Sequence, residues 1–183
     1  MNRARLGLIA AVIASAIAAP SVLTNAFAAN TQPGSPQPAA ATNPGNASPI
    51  YGVTLPEGYR QWQLIAPATE GAPLNEIRAV VGNDIAIKAY KEGTLPFPDG
   101  TILTKLAWKH VQSPEQESAS IPGAATTVQV MVKDSVKYKD SGGWGFGRFV
   151  NGQPVDEKQH QTCLGCHQAK VKDHDLVFSR WAP

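Results

Sequence analysis

Both cysteines of this 183-residue chain fall inside one five-residue stretch near the C-terminus, Cys163-Leu164-Gly165-Cys166-His167. A C-x-x-C-H motif restricts the possible folds severely, because the surrounding chain must bring two thiols and an imidazole together from one turn. The chemistry that needs this arrangement is covalent attachment of haem. The thiols add across its two vinyl groups, and the adjacent histidine ligates the iron. Three other chemistries use the same spacing. A redox dithiol of thioredoxin type opens a helix in a βαβ unit, and no such alternation is visible. A zinc site wants four ligands, and His160 and His174 are the only nearby extras. A plain disulfide is compatible with an exported chain. We read the motif as a site for one covalently attached haem c, with Cys163 and Cys166 as attachment points and His167 as metal ligand.

The N-terminus supports export. Arg3 and Arg5 precede an apolar stretch, Leu6–Ala19, and Ala26-Phe27-Ala28 is a small-x-small cleavage site. Residues 1–28 therefore read as a signal peptide, and the expected location is the periplasm. An uncleaved membrane anchor is the competing reading, disfavoured by the short apolar stretch. No cysteine near the cut invites a lipid. Residues 29–49 are rich in Pro and Ala and have nothing with which to build a core, so they read as a flexible linker. The folded domain is then 50–183. Arg3 and Arg5 are two of the chain's 16 Lys+Arg residues, so without the leader the basic residues only balance the 14 Asp+Glu. That balance argues against a nucleic-acid partner. No apolar run beyond the leader is long enough for stable membrane insertion.

Strand signals dominate the domain: Arg60–Ile65, Ile77–Gly82, Thr101–Trp108, Thr126–Lys133 and Trp144–Val150. Asn83 or Asp84 can cap a short helix over Ile85–Glu92, stopped by Gly93. Pro96, Pro98, Asp99 and Gly100 form a turn, and Pro114–Gly123 reads as a polar loop. The expected fold is mainly β (α+β), an antiparallel sheet with a few short helices and the haem motif near the C-terminus. Period-two alternation puts Ile102, Thr104, Leu106 and Trp108 on one face and Leu103, Lys105 and Ala107 on the other. Likewise Val128, Val130 and Val132 oppose Thr127, Gln129 and Met131. On strand pattern alone Lys105 belongs to a solvated side, since lysine is almost always exposed. Lys133, Lys137, Lys139, Lys170 and Lys172 read as solvated surface. Trp62, Trp108, Trp144 and Trp181 read as core or subunit-contact residues.

Whatever occupies the second axial position of the iron decides the function. The candidates are Met131, His110, His160, His174 and Lys105. Met131 reads first as core filler, His160 as part of the approach to the haem turn, and His110 and His174 as exposed. An open or water-occupied position is therefore expected.

The chain resembles the cytochrome P-460 family, which includes the P-460 enzymes and the cytochromes c′-beta. The resemblance rests on Leu55-Pro56-Glu57-Gly58-Tyr59-Arg60-Gln61-Trp62, Asn75-Glu76-Ile77-Arg78, Phe97-Pro98-Asp99-Gly100-Thr101-Ile102-Leu103-Thr104-Lys105, Val132-Lys133-Asp134-Ser135, Trp144-Gly145-Phe146, the haem motif, and Asp175-Leu176-Val177-Phe178-Ser179-Arg180. It implies an antiparallel β domain, a homodimer, and one c-type haem with His167 proximal and the distal face open. P-460 enzymes cross-link a lysine after the Asp-Gly-Thr turn to the macrocycle. Lys105 matches it, and this reverses the solvated reading. Arg78 matches an arginine near the site in relatives. Hydroxylamine-oxidising members carry a distal carboxylate where this chain has Gln129. Glutamine can hydrogen-bond a ligand but cannot accept protons. Leu74 stands where some relatives have phenylalanine, which implies a roomier aliphatic wall.

Two functions from different classes follow, with a third behind them. The first is a haem oxidoreductase that oxidises hydroxylamine or nitric oxide, with Lys105, Arg78 and Gln129 in the catalytic pocket, and passes electrons to a soluble cytochrome. The second is a c′-beta-like module that binds nitric oxide without turnover. The third is a simple electron-transfer cytochrome.

Overall fold

A computed structural model of the chain describes residues 44–182. The expected signal peptide and all but the last six residues of the expected linker lie outside that range. The described chain forms one antiparallel sheet in which sequence neighbours are spatial neighbours throughout, in the order β1 to β6. The strands are β1 (Gln63–Glu70), β2 (Glu76–Gly82), β3 (Ile102–Gln112), β4 (Ser120–Lys133), β5 (Trp144–Val150) and β6 (Gln153–Pro154). Helix α1 (Asp84–Glu92) follows β2, and helix α2 (Glu157–Val171) follows β6. The fold is mainly β with two helices, as the strand signals imply. No helix among the described residues is long and apolar enough to cross a membrane.

Each element has a local cause. Helix α1 starts at Asn83, whose Oδ1 accepts the Ala86 N–H at 3.1 Å, and ends at Gly93 in the left-handed conformation (φ 64°). Asn83 Oδ1 also accepts the Ile102 N–H at 3.1 Å, and its Nδ2 donates to the Gly100 carbonyl at 2.8 Å. One residue thus caps the helix and fixes the start of β3. Ala86, Ile87 and Ala89 form the buried face of α1.

Alternation sorts the sheet into two faces. On one, Val130 and Phe149 pack with Val53 and Tyr138. On the other, Val80, Leu103 and Phe146 join Ile65, Trp144 and the buried face of α1. Lys105 and Gln129 share that second face with Leu103 and Met131. Because α2 and the C-terminal segment cover it, the side that the strand pattern marks as solvated is interior.

Three further expectations need correction. The first strand begins at Gln63 and runs to Glu70, later and longer than Arg60–Ile65, because Tyr59–Gln61 is taken up in a 3-10 turn. The polar loop shrinks from Pro114–Gly123, since Ser120–Gly123 pairs with the end of β3: Pro122 lies opposite His110 and Val111 opposite Ile121. Pro122 is tolerated in this exposed extension, close to register irregularities at Trp108. Finally, Lys133 is not solvated surface. It is 6% exposed and bound to Asp175.

Candidate haem site

Helix α2 builds one wall of the site. Asp156 caps it by accepting the Gln159 N–H at 2.8 Å, and Glu157 lies in its positively polarised first turn. Helical spacing then stacks His160, Cys163 and His167 along one side, with Cys166 adjoining. His160 is completely buried. Its Nδ1 lies 3.0 Å from the Asp156 carbonyl, and its Nε2 accepts the Arg148 N–H at 3.0 Å. Both nitrogens are occupied, so His160 is a staple between α2 and β5 rather than an iron ligand.

His167 is held more tightly. Its Nδ1–H donates to the Leu176 carbonyl at 2.6 Å, which leaves the Nε2 lone pair free. Phe146 and Phe178 flank the ring edge-on, with centroids at 5.0 and 4.9 Å. Burial is the main cause that lowers the His167 pKa, aided by the Lys105 charge and opposed by the Leu176 hydrogen bond. The neutral imidazole that a metal requires is therefore favoured. Burial also raises the Cys163 thiol, against the pull of Arg148 and Lys105.

The sheet builds the opposite wall through register. Val80 pairs with Lys105, Lys105 with Gln129, and Gln129 with Arg148. A single cross-strand row thus presents lysine, glutamine and arginine together. The two walls and the C-terminal segment enclose a cavity of about 850 Å³. Arg78, Lys105, Gln129, Arg148, Cys163, Cys166 and His167 all line it, as do Met131 and Leu74. Every site residue expected from the sequence therefore reaches one space.

Their electrostatics differ. Arg78 is spoken for: Nη2 lies 2.7 Å from Glu76 Oε2, and Nη1 pairs with Glu70. Burial alone would raise the Glu76 pKa. Hydrogen bonds from Thr126 and Arg78, and the charges of Arg78 and Lys105, outweigh it, and the pKa falls. Lys105 is pushed down to about 8, first by burial and then by Arg78 and Arg148, against the attraction of Glu76 and Glu70. Arg148 Nε is buried with no hydrogen-bond partner. Gln129 Nε2 donates to Thr127 Oγ1 at 3.2 Å.

The remaining axial candidates separate cleanly. His110 is exposed and lies 3.3 Å from Asn75 Oδ1, outside the cavity. His174 is half-buried rather than exposed, with Nδ1 2.8 Å from the Val177 carbonyl. The extra histidines that a zinc site would need are thus engaged elsewhere. No group of three or more His, Cys, Asp or Glu side chains among the described residues could hold a metal ion. Of the tryptophans, Trp144 is core, and Trp62, Trp108 and Trp181 are half-buried.

Sequence reasoning missed Arg148 and the roles of His160 and Asp175. Arg148 had a usable signal: it alternates with Trp144 and Phe146 and so faces the same way. The other two depend on contacts with distant segments and had none.

The residues present fit a haem. Two thiols and an imidazole with a free Nε2 share one helical side, facing a cavity with an apolar floor of Leu103, Met131 and Phe146. This is the site of a haem cytochrome built on an antiparallel sheet. The chain belongs to the cytochrome P460 family, whose family model matches residues 56–179. No curated protein matches the chain.

Proposed function

We propose that the protein is an exported c-type cytochrome carrying one covalently bound haem. It oxidises hydroxylamine or nitric oxide at an open distal position and delivers the electrons to a soluble cytochrome. The bound haem would supply an iron that takes the nitrogen atom of the substrate and accepts electrons from it. Cys163 and Cys166 fix the group to α2, and His167 Nε2 is the protein ligand. The reading is carried by one observation: Lys105, from the middle of the sheet, lines the same cavity as Cys163, Cys166 and His167. A pKa of about 8 leaves part of its amine neutral near physiological pH. A neutral amine is what a nucleophilic lysine, or one taking up a proton, must offer. Lys105 is thus suited to the macrocycle cross-link that the family resemblance implies. Gln129 and Arg148 hydrogen-bond and orient a ligand, and Arg78, tied to two carboxylates, shapes the rim. The leader sequence supports a periplasmic location, and the resemblance supports a homodimer.

Gln129 favours a second reading, nitric oxide binding without turnover. It places no carboxylate in the row beside Lys105, and the two in the cavity, Glu70 and Glu76, are held by Arg78. Mass spectrometry of proteolysed holoprotein separates the two. A Lys105 peptide joined to the Cys163–His167 haem peptide, together with hydroxylamine-dependent reduction of a soluble cytochrome, is the expected outcome. Haem held by the cysteines alone, with nitric oxide binding and no turnover, would establish the second reading. A low-spin ferrous spectrum without added ligand would instead mark an electron-transfer cytochrome.

A further inference from the structure

Two consecutive non-glycine residues after α2, Asp175 (φ 48°) and Leu176 (φ 63°), adopt the left-handed conformation. Aspartate tolerates it, but for leucine it is a steric outlier. Such strain survives only where the surroundings over-determine it, and it collects at functional sites. The surroundings here are specific. The Asp175 carboxylate lies 2.8 and 2.9 Å from Lys133 Nζ, and its Oδ2 also accepts the Phe97 N–H at 2.8 Å. Lys133 donates further to the Gly142 carbonyl at 3.3 Å and lies 5.0 Å from the centre of the Trp144 ring. The two side chains are only 7% and 13% exposed, so the pair is a buried one. The Leu176 side chain is itself 6% exposed and lies over Gly142, where a Cβ would come within 2.9 Å of Leu176 Cδ1. What the turn delivers is the Leu176 carbonyl, 2.6 Å from His167 Nδ1.

We propose that Lys133 and Asp175 form a buried clamp that holds the 175–176 turn in its left-handed form. The Leu176 carbonyl then accepts the His167 Nδ1–H and sets how strongly the imidazole donates to the iron. The inference rests on the haem reading of the site and adds positioning residues to it. A hydrogen bond accepted from Nδ1–H raises the basicity of Nε2. It strengthens the iron–histidine bond and favours the ferric state.

The test uses the holoprotein, with the ferrous iron–histidine stretching frequency from resonance Raman and the midpoint potential as readouts. Lys133→Met with Asp175→Ala removes the clamp without stranding a buried charge. The expected result is unchanged haem content, a lower stretching frequency and a higher potential. Lys133→Met with Asp175→Asn also breaks the ion pair but retains a residue that favours the left-handed turn and can accept from Phe97, so it shifts both readouts in the same direction by less than the alanine variant. Lys133→Met alone leaves Asp175 held by Phe97 and gives a smaller shift in the same direction; this variant decides the matter should the alanine variant not fold. Val53→Ala, a core truncation in the separate cluster on the other face of the sheet, lowers the melting temperature without moving either readout. Unmoved readouts in the clamp variants, or an equal movement in Val53→Ala, would overturn the proposal. A holoprotein preparation with no attached haem would overturn the haem reading instead, which keeps the two failures apart.

Discussion

The helix wall of the cavity draws its chemistry from one short stretch, Cys163 to Leu176, whereas the sheet wall takes Arg78, Lys105, Gln129 and Arg148 from four different strands. The helix wall is over-constrained: His167 is hydrogen-bonded, flanked by two aromatic rings, and backed by a strained turn. The sheet wall is cationic and under-satisfied, with one buried guanidinium nitrogen lacking a partner and one lysine pushed far below its usual pKa. The difference separates two jobs. A covalent attachment needs rigid local geometry, whereas a wall that must meet changing occupants keeps unpaired charge available. The comparison predicts that damage to the helix wall abolishes the holoprotein, while damage to the sheet wall leaves it intact and changes what it binds or turns over.

The largest effect is expected from Cys163→Ala with Cys166→Ala. With Lys105 also changed to Met, so that no macrocycle cross-link remains, haem retained by the polypeptide after acid–solvent extraction falls to background. Substitutions at Lys105, Gln129 or Arg148 leave that retention unchanged. Loss of retained haem in a Gln129 or Arg148 variant would erase the distinction between the walls.

The same difference governs what could be read from the sequence. Cys163, Cys166 and His167 are legible because their geometry follows from adjacency on one turn. Lys105 and Gln129 were placed on the correct strand faces by alternation, but alternation does not say which face is interior. Family resemblance alone marks Lys105 as a site residue, and its burial follows from the packing of α2 and the C-terminal segment over that face. Lys133 shows the limit most plainly. Nothing around it in sequence announces a buried partner 42 positions away, and an isolated lysine is ordinarily solvated. His160 was legible as a histidine near the motif, but its role depends on the Arg148 N–H across the helix–strand contact.

Gln129→Glu sharpens the contrast on the sheet side. It inserts a carboxylate between two cations that lack one, and so supplies the proton acceptor that glutamine cannot be. We expect hydroxylamine oxidation to rise roughly 10²-fold, the lower end of what a positioned general base contributes. Steady-state reduction of a soluble acceptor measures it. An unchanged rate would mean that proton removal does not limit this site.

Lys105→Met tests whether the sheet wall carries the energetic cost that its charge implies. The Lys105 pKa falls from 10.5 to about 8 in the folded protein. The unfolded chain therefore holds the proton more tightly, and wild-type stability rises with pH between about 8 and 10.5. Below that window the buried ammonium costs up to about 3 kcal/mol, at 1.36 kcal/mol per unit. Urea unfolding of haem-free protein at pH 7 is expected to show Lys105→Met more stable than wild type. The advantage shrinks as the pH passes 9, and a pH-independent difference would contradict the assignment.

The smallest effect distinguishes the two arginines. Both line the cavity, but Glu70 and Glu76 neutralise Arg78, whereas Arg148 Nε has no partner. A small anion bound in the cavity therefore gains from Arg148 what Arg78 has already spent on its carboxylates. One charge-assisted hydrogen bond contributes about 1.5 kcal/mol at the lower end, roughly tenfold in affinity. Azide titration of the ferric protein should show binding about tenfold weaker in Arg148→Met and within about twofold of wild type in Arg78→Met. The reverse order would mean that the Arg78 carboxylate pairs open when an anion enters. The rim would then be the responsive part of the site, with the Lys105–Gln129–Arg148 row acting as fixed scaffold.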